Sequence, residues 1–328
     1  MIALTGGGTG GHLAIVRALK KEFKKRGVKT VYIGSTKGQD REWFENDGDF
    51  AKRFFLKSQG VVDKRGLKKV KALKDMAALT LKARKILKSE NIEAVVSVGG
   101  YSAAPAAFGA LSLRIPLFIH EQNAHTGRLN ALLKPFCKGF FSSFEPPFYP
   151  YPVDELFFKN QRIRKELKRV IFLGGSQGAK EINDLALDLA PKLAKRGIKI
   201  IHQTGKKDFI RIKEEYEKLG IEAEVFDFSK ELVKKISQSD LAVSRAGAST
   251  LWELTCNAIP ALYIPYPYAA NDHQRKNALF VQQRGCAKIY EDGMDIFSLD
   301  LEEMSQNCLK LAKAKGAEIL AEEILKSI

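Results

Sequence analysis

A short apolar strand that runs into a glycine-rich turn and then an amphipathic helix occurs twice in this chain, at 2–20 and again at 170–192. The first turn is Gly6-Gly7-Gly8-Thr9-Gly10-Gly11-His12, and the second is Gly174-Gly175-Ser176-Gln177-Gly178. Glycines let backbone amides come close to an anion, and the helix that follows aims its partial positive N-terminus at the same place. Strand-like runs alternate with helical patterns at 2–5, 29–33, 53–56, 94–98, 116–119 and 139–143, and again at 170–173, 199–203, 224–226, 241–244, 261–264 and 287–290. The expected class is therefore α/β: two Rossmann-like, doubly wound parallel sheets facing a central cleft and built to hold phosphate.

A chain of 328 residues, 45% of them hydrophobic, can bury two cores of ordinary size. The domains are expected at 1–153 and 154–311. Just before the boundary lies PPFYPYP (146–152), whose prolines and aromatics suit a stiff connection. The stretch 299–328 reads as helix, and its end, about 312–328, is expected to pack back on the first domain. No apolar run has membrane-spanning length, and the N-terminus enters a strand directly, which predicts a protein that stays in the cytoplasm. Cys137, Cys256, Cys286 and Cys308 form no CxxC pair and predict buried, reduced thiols with no zinc site.

The net charge of +16 is unevenly distributed. Residues 1–150 carry 26 Lys+Arg against 12 Asp+Glu, and residues 151–328 carry 28 against 26, so the excess belongs to the first half. Within it, 64–88 holds ten basic residues and one acid, Asp75, with Val70, Leu73, Met76, Leu79, Leu81 and Ile86 at roughly helical spacing. One reading is a solvated helix on the outside of the sheet. The other is a patch for an anionic membrane surface, where each Lys or Arg contributes about 1 kcal/mol. Nucleic acid is the competing partner, but no RNA-recognition aromatic motif, finger spacing or helix-turn-helix pattern supports it.

Gly6, Gly8 and Gly11 satisfy GxGxxG, yet the second strand ends in Ile33-Gly34-Ser35-Thr36 without the acid that would hold a dinucleotide ribose. No Gly-Lys-Ser/Thr closes a P-loop. His12 opens the first helix beside the glycines, where the helix N-terminus favours the neutral, proton-accepting imidazole of a general base. Gly174 to Gly178 also matches GxSxG, and Asp240 and His273 follow in the order a serine hydrolase with a Ser176 nucleophile needs. That alternative stays open here. Arg245 to Glu253 forms a third strand-to-helix turn, with Thr250 and Glu253 at capping-box spacing. Its amides suit a diphosphate, and a first-turn carboxylate suits paired sugar hydroxyls. Asp47-Gly48-Asp49 has the spacing of a metal-holding DxD but lies in a turn-like polar segment and reads as a loop.

In order, GGTGGH (7–12), GGYSAAP (99–105), HEQN (120–123), GGSQGA (174–179), HQTG (202–205), SRAGASTLWE (244–253) and DHQRKNA (272–278) resemble the MurG family. These are bacterial enzymes that add N-acetylglucosamine to undecaprenyl-diphospho-muramoylpentapeptide, lipid I, to make lipid II. The resemblance spans residues 2 to about 290. It implies a GT-B fold, an inverting transfer without metal or cofactor, UDP-N-acetylglucosamine as donor, and a peripheral place on the cytoplasmic face of the inner membrane. Carried over, Thr9, Gly10 and Gly11 face the sugar and acceptor diphosphate, and His12 is the base. Gly99, Gly100, Tyr101, His120 and Glu121 lie on the acceptor side. Asn123 contacts the transferred sugar, Ser176 and Gln177 the donor diphosphate, and Ser229 the uracil. Arg245, Ala248, Ser249 and Thr250 meet the diphosphate, Glu253 the ribose, and Gln274 and Asn277 the sugar hydroxyls. Two positions depart from the family. Ile15 stands where it has proline, and Asp154 stands where it has an arginine, so that either another cation such as Arg245 compensates or the register at the junction differs.

Overall fold

The computed structural model describes residues 1–58, 60, 66–175, 178–229 and 231–328, with the backbone alone at 67–69. Six strands, β1 (Ile2–Thr5), β2 (Thr30–Ser35), β3 (Lys52–Leu56), β4 (Ala94–Ser97), β5 (Leu117–Glu121) and β6 (Gly139–Ser142), pair in parallel in the order β3-β2-β1-β4-β5-β6. A central parallel strand is covered on both faces, which is why β1 and β4 are buried without alternation. The helix Gly10–Lys25 closes one side with Leu13, Ile15, Val16, Leu19 and Phe23. Ile15 is thus a core residue.

The second unit repeats the plan. β7 (Arg169–Leu173), β8 (Lys199–Gln203), β9 (Ala223–Phe226), β10 (Leu241–Ser244), β11 (Ala261–Tyr263) and β12 (Ala287–Ile289) run in parallel in the order β12-β11-β10-β7-β8-β9. Its core gathers Val170, Phe172, Ile182, Leu193, Val243 and Leu262. Cys256, Cys286 and Cys308 are buried free thiols here, and Cys137 of the first unit is half-buried.

Residues 1–152 and 315–328 make one unit, and 153–314 the other. The segment 299–328 is two helices, Leu301–Leu311 and Gly316–Lys326, because Lys315 takes a left-handed turn between them. A Cβ at Gly316 would strike the Tyr151 and Pro150 carbonyl oxygens, so the chain can pass there only without a side chain. The last helix buries Leu320, Ala321 and Ile324 against the first helix, and Arg26 bridges to Glu322 at 3.0 Å.

The basic segment becomes the helix Leu67–Ser89, and Lys64 and Arg65 lie outside the described residues. Ala72, Ala83 and Leu87 are buried, Gly109 of the helix Ala104–Ser112 allowing the close approach, while Val70, Leu73 and Leu81 are 51%, 53% and 60% exposed. The apolar positions of this helix therefore divide between an inward set and an outward set.

Candidate active site

Both glycine turns leave the carboxyl ends of central strands, β1 and β7, where each sheet's strand order reverses and where open parallel sheets bind ligands. The first turn is held from below by Asp40, a fully buried residue that sequence reasoning passed over. Asp40 Oδ2 accepts the Gly8 N–H at 2.6 Å, and Oδ1 accepts the Ser35 N–H at 2.8 Å and the Tyr32 hydroxyl at 3.0 Å. Burial, then the charge of Asp40, push the Tyr32 phenol well above its ordinary range, so it remains a donor. The missing ribose acid of the GxGxxG reading thus has a counterpart seven residues beyond Ile33, pointed at the turn and engaged there. The turn after β4 interlocks with the first: a Cβ at Gly100 would strike the Gly7 carbonyl oxygen, and one at Gly8 would lie 2.9 Å from the Tyr101 ring.

Asp40→Asn tests this lock. An amide nitrogen facing Gly8 N–H, or facing the Ser35 and Tyr32 donors, sets donor against donor. The expected loss is about 1–3 kcal/mol of stability, read by urea unfolding with Trp43 fluorescence. A change below about 0.5 kcal/mol would show that the carboxylate does not hold the turn.

His12 is the third residue of the helix Gly10–Lys25, whose cap Thr9 is extended. Thr9 makes no side-chain cap to the backbone; its Oγ1 lies 2.9 Å from His12 Nδ1. On the other side of the ring, Gln122 Nε2 lies 2.8 Å from His12 Nε2. Gln122, from the HEQN run, was not singled out in the sequence.

Two neighbours expected on the acceptor side are buried. His120 is 1% exposed on β5, and burial, with His12 nearby, holds its imidazole down to about 3, so it is neutral. Glu121, 3% exposed, accepts from Asn123 N–H at 3.0 Å, Gly127 N–H at 2.9 Å and Asn130 Nδ2 at 2.8 Å. It therefore shapes the loop that carries Asn123, which is itself half-buried. Asn130 lies against Gly99, on the side where His12 also approaches.

In the second unit, Ser176 and Gln177 lie outside the described residues. The flanking turn is braced by His202, Asn183 and Tyr216. Asn183 Oδ1 is 3.0 Å from His202 Nε2, Tyr216 Oη is 3.0 Å from Nδ1, and Asn183 Nδ2 donates to Asp208 at 2.7 Å. Burial holds His202 down to about 3, so the HQTG histidine is a neutral strut. The helix Ala248–Cys256 is capped by Gly247, which makes Thr250 its third residue and removes the capping-box reading of Thr250 and Glu253. Its first turn presents Ala248, Ser249 and Thr250, with Glu253 half-buried one turn on.

Three polar side chains expected to meet the donor hold loops in this structure. Asn277 is fully buried and donates to the Ala246 carbonyl at 3.0 Å, and Gln274 accepts the Tyr266 N–H at 2.9 Å. Arg245 donates to the Ile264 carbonyl at 3.0 Å and pairs with Glu181, so its charge is already engaged. Asp154 accepts the Leu156 N–H at 3.0 Å and caps the short helix Glu155–Lys159. Ser229 accepts the Glu231 N–H at 3.0 Å where the helix Leu232–Gln238 begins. Asp47 and Asp49 pair with Lys20 and Lys24, which gives the DxD a structural use.

The hydrolase alternative fails on position. Asp240 sits at the amino end of β10, with Arg162 at 2.6 Å and the Lys168 and Arg169 N–H groups at 2.9 and 2.8 Å. His273 lies beyond the carboxyl end of the neighbouring strand β11, 2.9 Å from the Ala270 carbonyl. A four-residue strand separates the two ends by about 13 Å, too far for an Asp–His pair.

Residues 2–142 match the glycosyltransferase family 28 N-terminal domain, and residues 169–318 match the family 28 C-terminal domain. The chain belongs to glycosyltransferase family 28. Its family 28 relatives include a Nitratiruptor protein, 55% identical over 100% of this chain and 99% of its own length. A Campylobacter jejuni subsp. doylei protein is 53% identical, over 99% of this chain and 98% of its own. Both carry the name "UDP-N-acetylglucosamine--N-acetylmuramyl-(pentapeptide) pyrophosphoryl-undecaprenol N-acetylglucosamine transferase". Among solved structures, Acinetobacter baumannii MurG is similar with a TM-score of 0.80 at 26% identity, over 99% of both chains. The two six-stranded units are those of the GT-B fold.

Proposed function

We propose that this family 28 chain moves N-acetylglucosamine from UDP-N-acetylglucosamine to the 4-hydroxyl of the muramoyl sugar of lipid I, forming lipid II. The observation that carries the reading is an imidazole set at the first glycine turn between Thr9 and Gln122, in a chain 55% identical throughout to a relative of that name. The acceptor oxygen attacks C1 of the sugar as the C1–O bond to UDP breaks, and His12 takes the hydroxyl proton. A single displacement inverts C1 and leaves a β linkage. The departing diphosphate is stabilised by amides at the N-termini of the helices Lys180–Lys195 and Ala248–Cys256, whose dipoles need little rearrangement as charge develops. Glu253 takes the ribose hydroxyls, Asn123 and Gln274 border the sugar, and Asn277 holds the loop behind them through the Ala246 carbonyl. The test is transfer of radiolabelled N-acetylglucosamine from UDP to lipid I by the purified, folded protein. No labelled lipid product would overturn the reading.

The lipid acceptor favours the membrane reading of the first unit, on the cytoplasmic face. Val70, Leu73 and Leu81 stand exposed on the helix Leu67–Ser89 among Lys71, Lys74, Lys82 and Lys85, and no helix among the described residues is long and apolar enough to cross a bilayer. Replacing Leu73 and Leu81 by Glu removes two apolar anchors and adds two repelled charges. The expected result is at least about tenfold weaker binding to vesicles of phosphatidylglycerol and phosphatidylcholine, with turnover on a detergent-soluble acceptor unchanged. Equal vesicle binding would place the docking face elsewhere.

A further inference from the structure

The contacts of His12 raise a chemical question that the general-base reading leaves open. A base must offer a lone pair to the acceptor hydroxyl, yet each ring nitrogen already has a neighbour, Thr9 Oγ1 at Nδ1 and Gln122 Nε2 at Nε2. Gln122 is 8% exposed, so its amide lies where water replaces it poorly. An amide nitrogen is only a donor. A neutral imidazole that accepts at Nε2 therefore carries its proton on Nδ1, where it donates to Thr9.

We propose that Gln122 is a positioning residue for His12: its amide donates to Nε2 in the resting enzyme, keeps the ring proton on Nδ1, and yields that lone pair to the acceptor hydroxyl. This rests on His12 being the base. When Nε2 takes the proton, the ring becomes an imidazolium with donors at both nitrogens. Gln122 then turns its amide so that Oε1 accepts Nε2–H. A glutamine can serve both protonation states, because it carries a donor and an acceptor on one planar group. A glutamate favours only the charged ring, and a leucine supports neither. The titratable neighbours are His120, neutral and buried in β5, and Glu121, whose carboxylate holds three N–H donors of its own loop.

The experiment follows the His12 ring nitrogens by 15N NMR across pH in the full chain and in Gln122→Glu and Gln122→Leu, alongside the pH profile of kcat/KM. In the unaltered protein the neutral ring is expected to show its proton on Nδ1. Gln122→Glu is expected to raise the His12 midpoint by about one pH unit, an opposite charge favouring the imidazolium, and to move the acid limb of the profile up with it. Gln122→Leu is expected to lower kcat by about tenfold while the donor KM holds. A neutral ring protonated on Nε2 overturns the proposal. So does a loss of activity in both variants with midpoint and acid limb unmoved, which marks Gln122 as merely structural. A midpoint that moves without the acid limb overturns the base reading itself, and the role of Gln122 falls with it.

Discussion

His12→Ala is expected to lower kcat about 10²–10⁴-fold, the usual contribution of a positioned general base, with donor binding nearly unchanged. The methyl group leaves the acceptor hydroxyl without a proton acceptor at the first glycine turn. The amides and helix N-termini of the second unit are untouched, and so is the affinity for UDP-N-acetylglucosamine. Steady-state kinetics at saturating lipid I, with the donor titrated, separate the two quantities. His12→Ala with kcat within about threefold of the unaltered protein would remove His12 from the chemistry. Thr9→Val is a useful companion, because it keeps the shape of the cap and removes only the Nδ1 partner.

The largest effect on stability is expected from Arg164→Leu. Arg164 is fully buried, and among the described residues no carboxylate is hydrogen-bonded to it. Its guanidinium donates to the Ser239 carbonyl at 3.2 Å, to the Arg162 carbonyl at 2.7 Å, to the Asn257 carbonyl, and to Asn257 Oδ1 at 2.5 Å. Ser239 and Asn257 cap the carboxyl ends of the helices Leu232–Gln238 and Ala248–Cys256, so one cation serves the negative ends of two helix dipoles. Burial, with Arg162 nearby, pulls the guanidinium down to about 9, and it is still charged at neutral pH. Leucine would leave four acceptors, most of them buried, without this donor, at an expected cost of about 3–5 kcal/mol. Urea unfolding followed through Trp252, in a Trp43→Phe background, reports the second unit alone. A shift below about 1 kcal/mol would show that the acceptors find other donors. One of the two helices, Ala248–Cys256, is the one whose N-terminus is proposed to face the diphosphate, and this buried arginine braces its far end.

Much of the architecture was legible because it depends on periodicity. All twelve strand-like runs are strands, with ends displaced by at most two residues. Buried parallel strands are short, continuous apolar runs, and glycine turns mark where they stop. The final helix was harder, since its break at Lys315 is a backbone turn that leaves no mark in the hydrophobic pattern. The capping box failed for a related reason: Thr250 and Glu253 have the right spacing, but the chain enters its helix three residues earlier, at Gly247. Spacing alone cannot distinguish a cap from a first turn.

The site divides in the same way. Glycine turns, the histidine beside the first of them, and the ordered motifs of family 28 are properties of contiguous residues, and the amino-acid order was sufficient to locate them. Contacts between distant segments were invisible in that order. Asp40 reaches back 32 positions to Gly8, Gln122 reaches 110 positions to His12, and Arg164 reaches 93 to Asn257. Tertiary packing also gave structural work to polar residues of the motifs, making Glu121, His202 and Asp154 struts and caps. The physical reason is that a polar side chain satisfies whichever partner burial leaves within reach, and which partner that is depends on the folded positions of segments far apart in the chain.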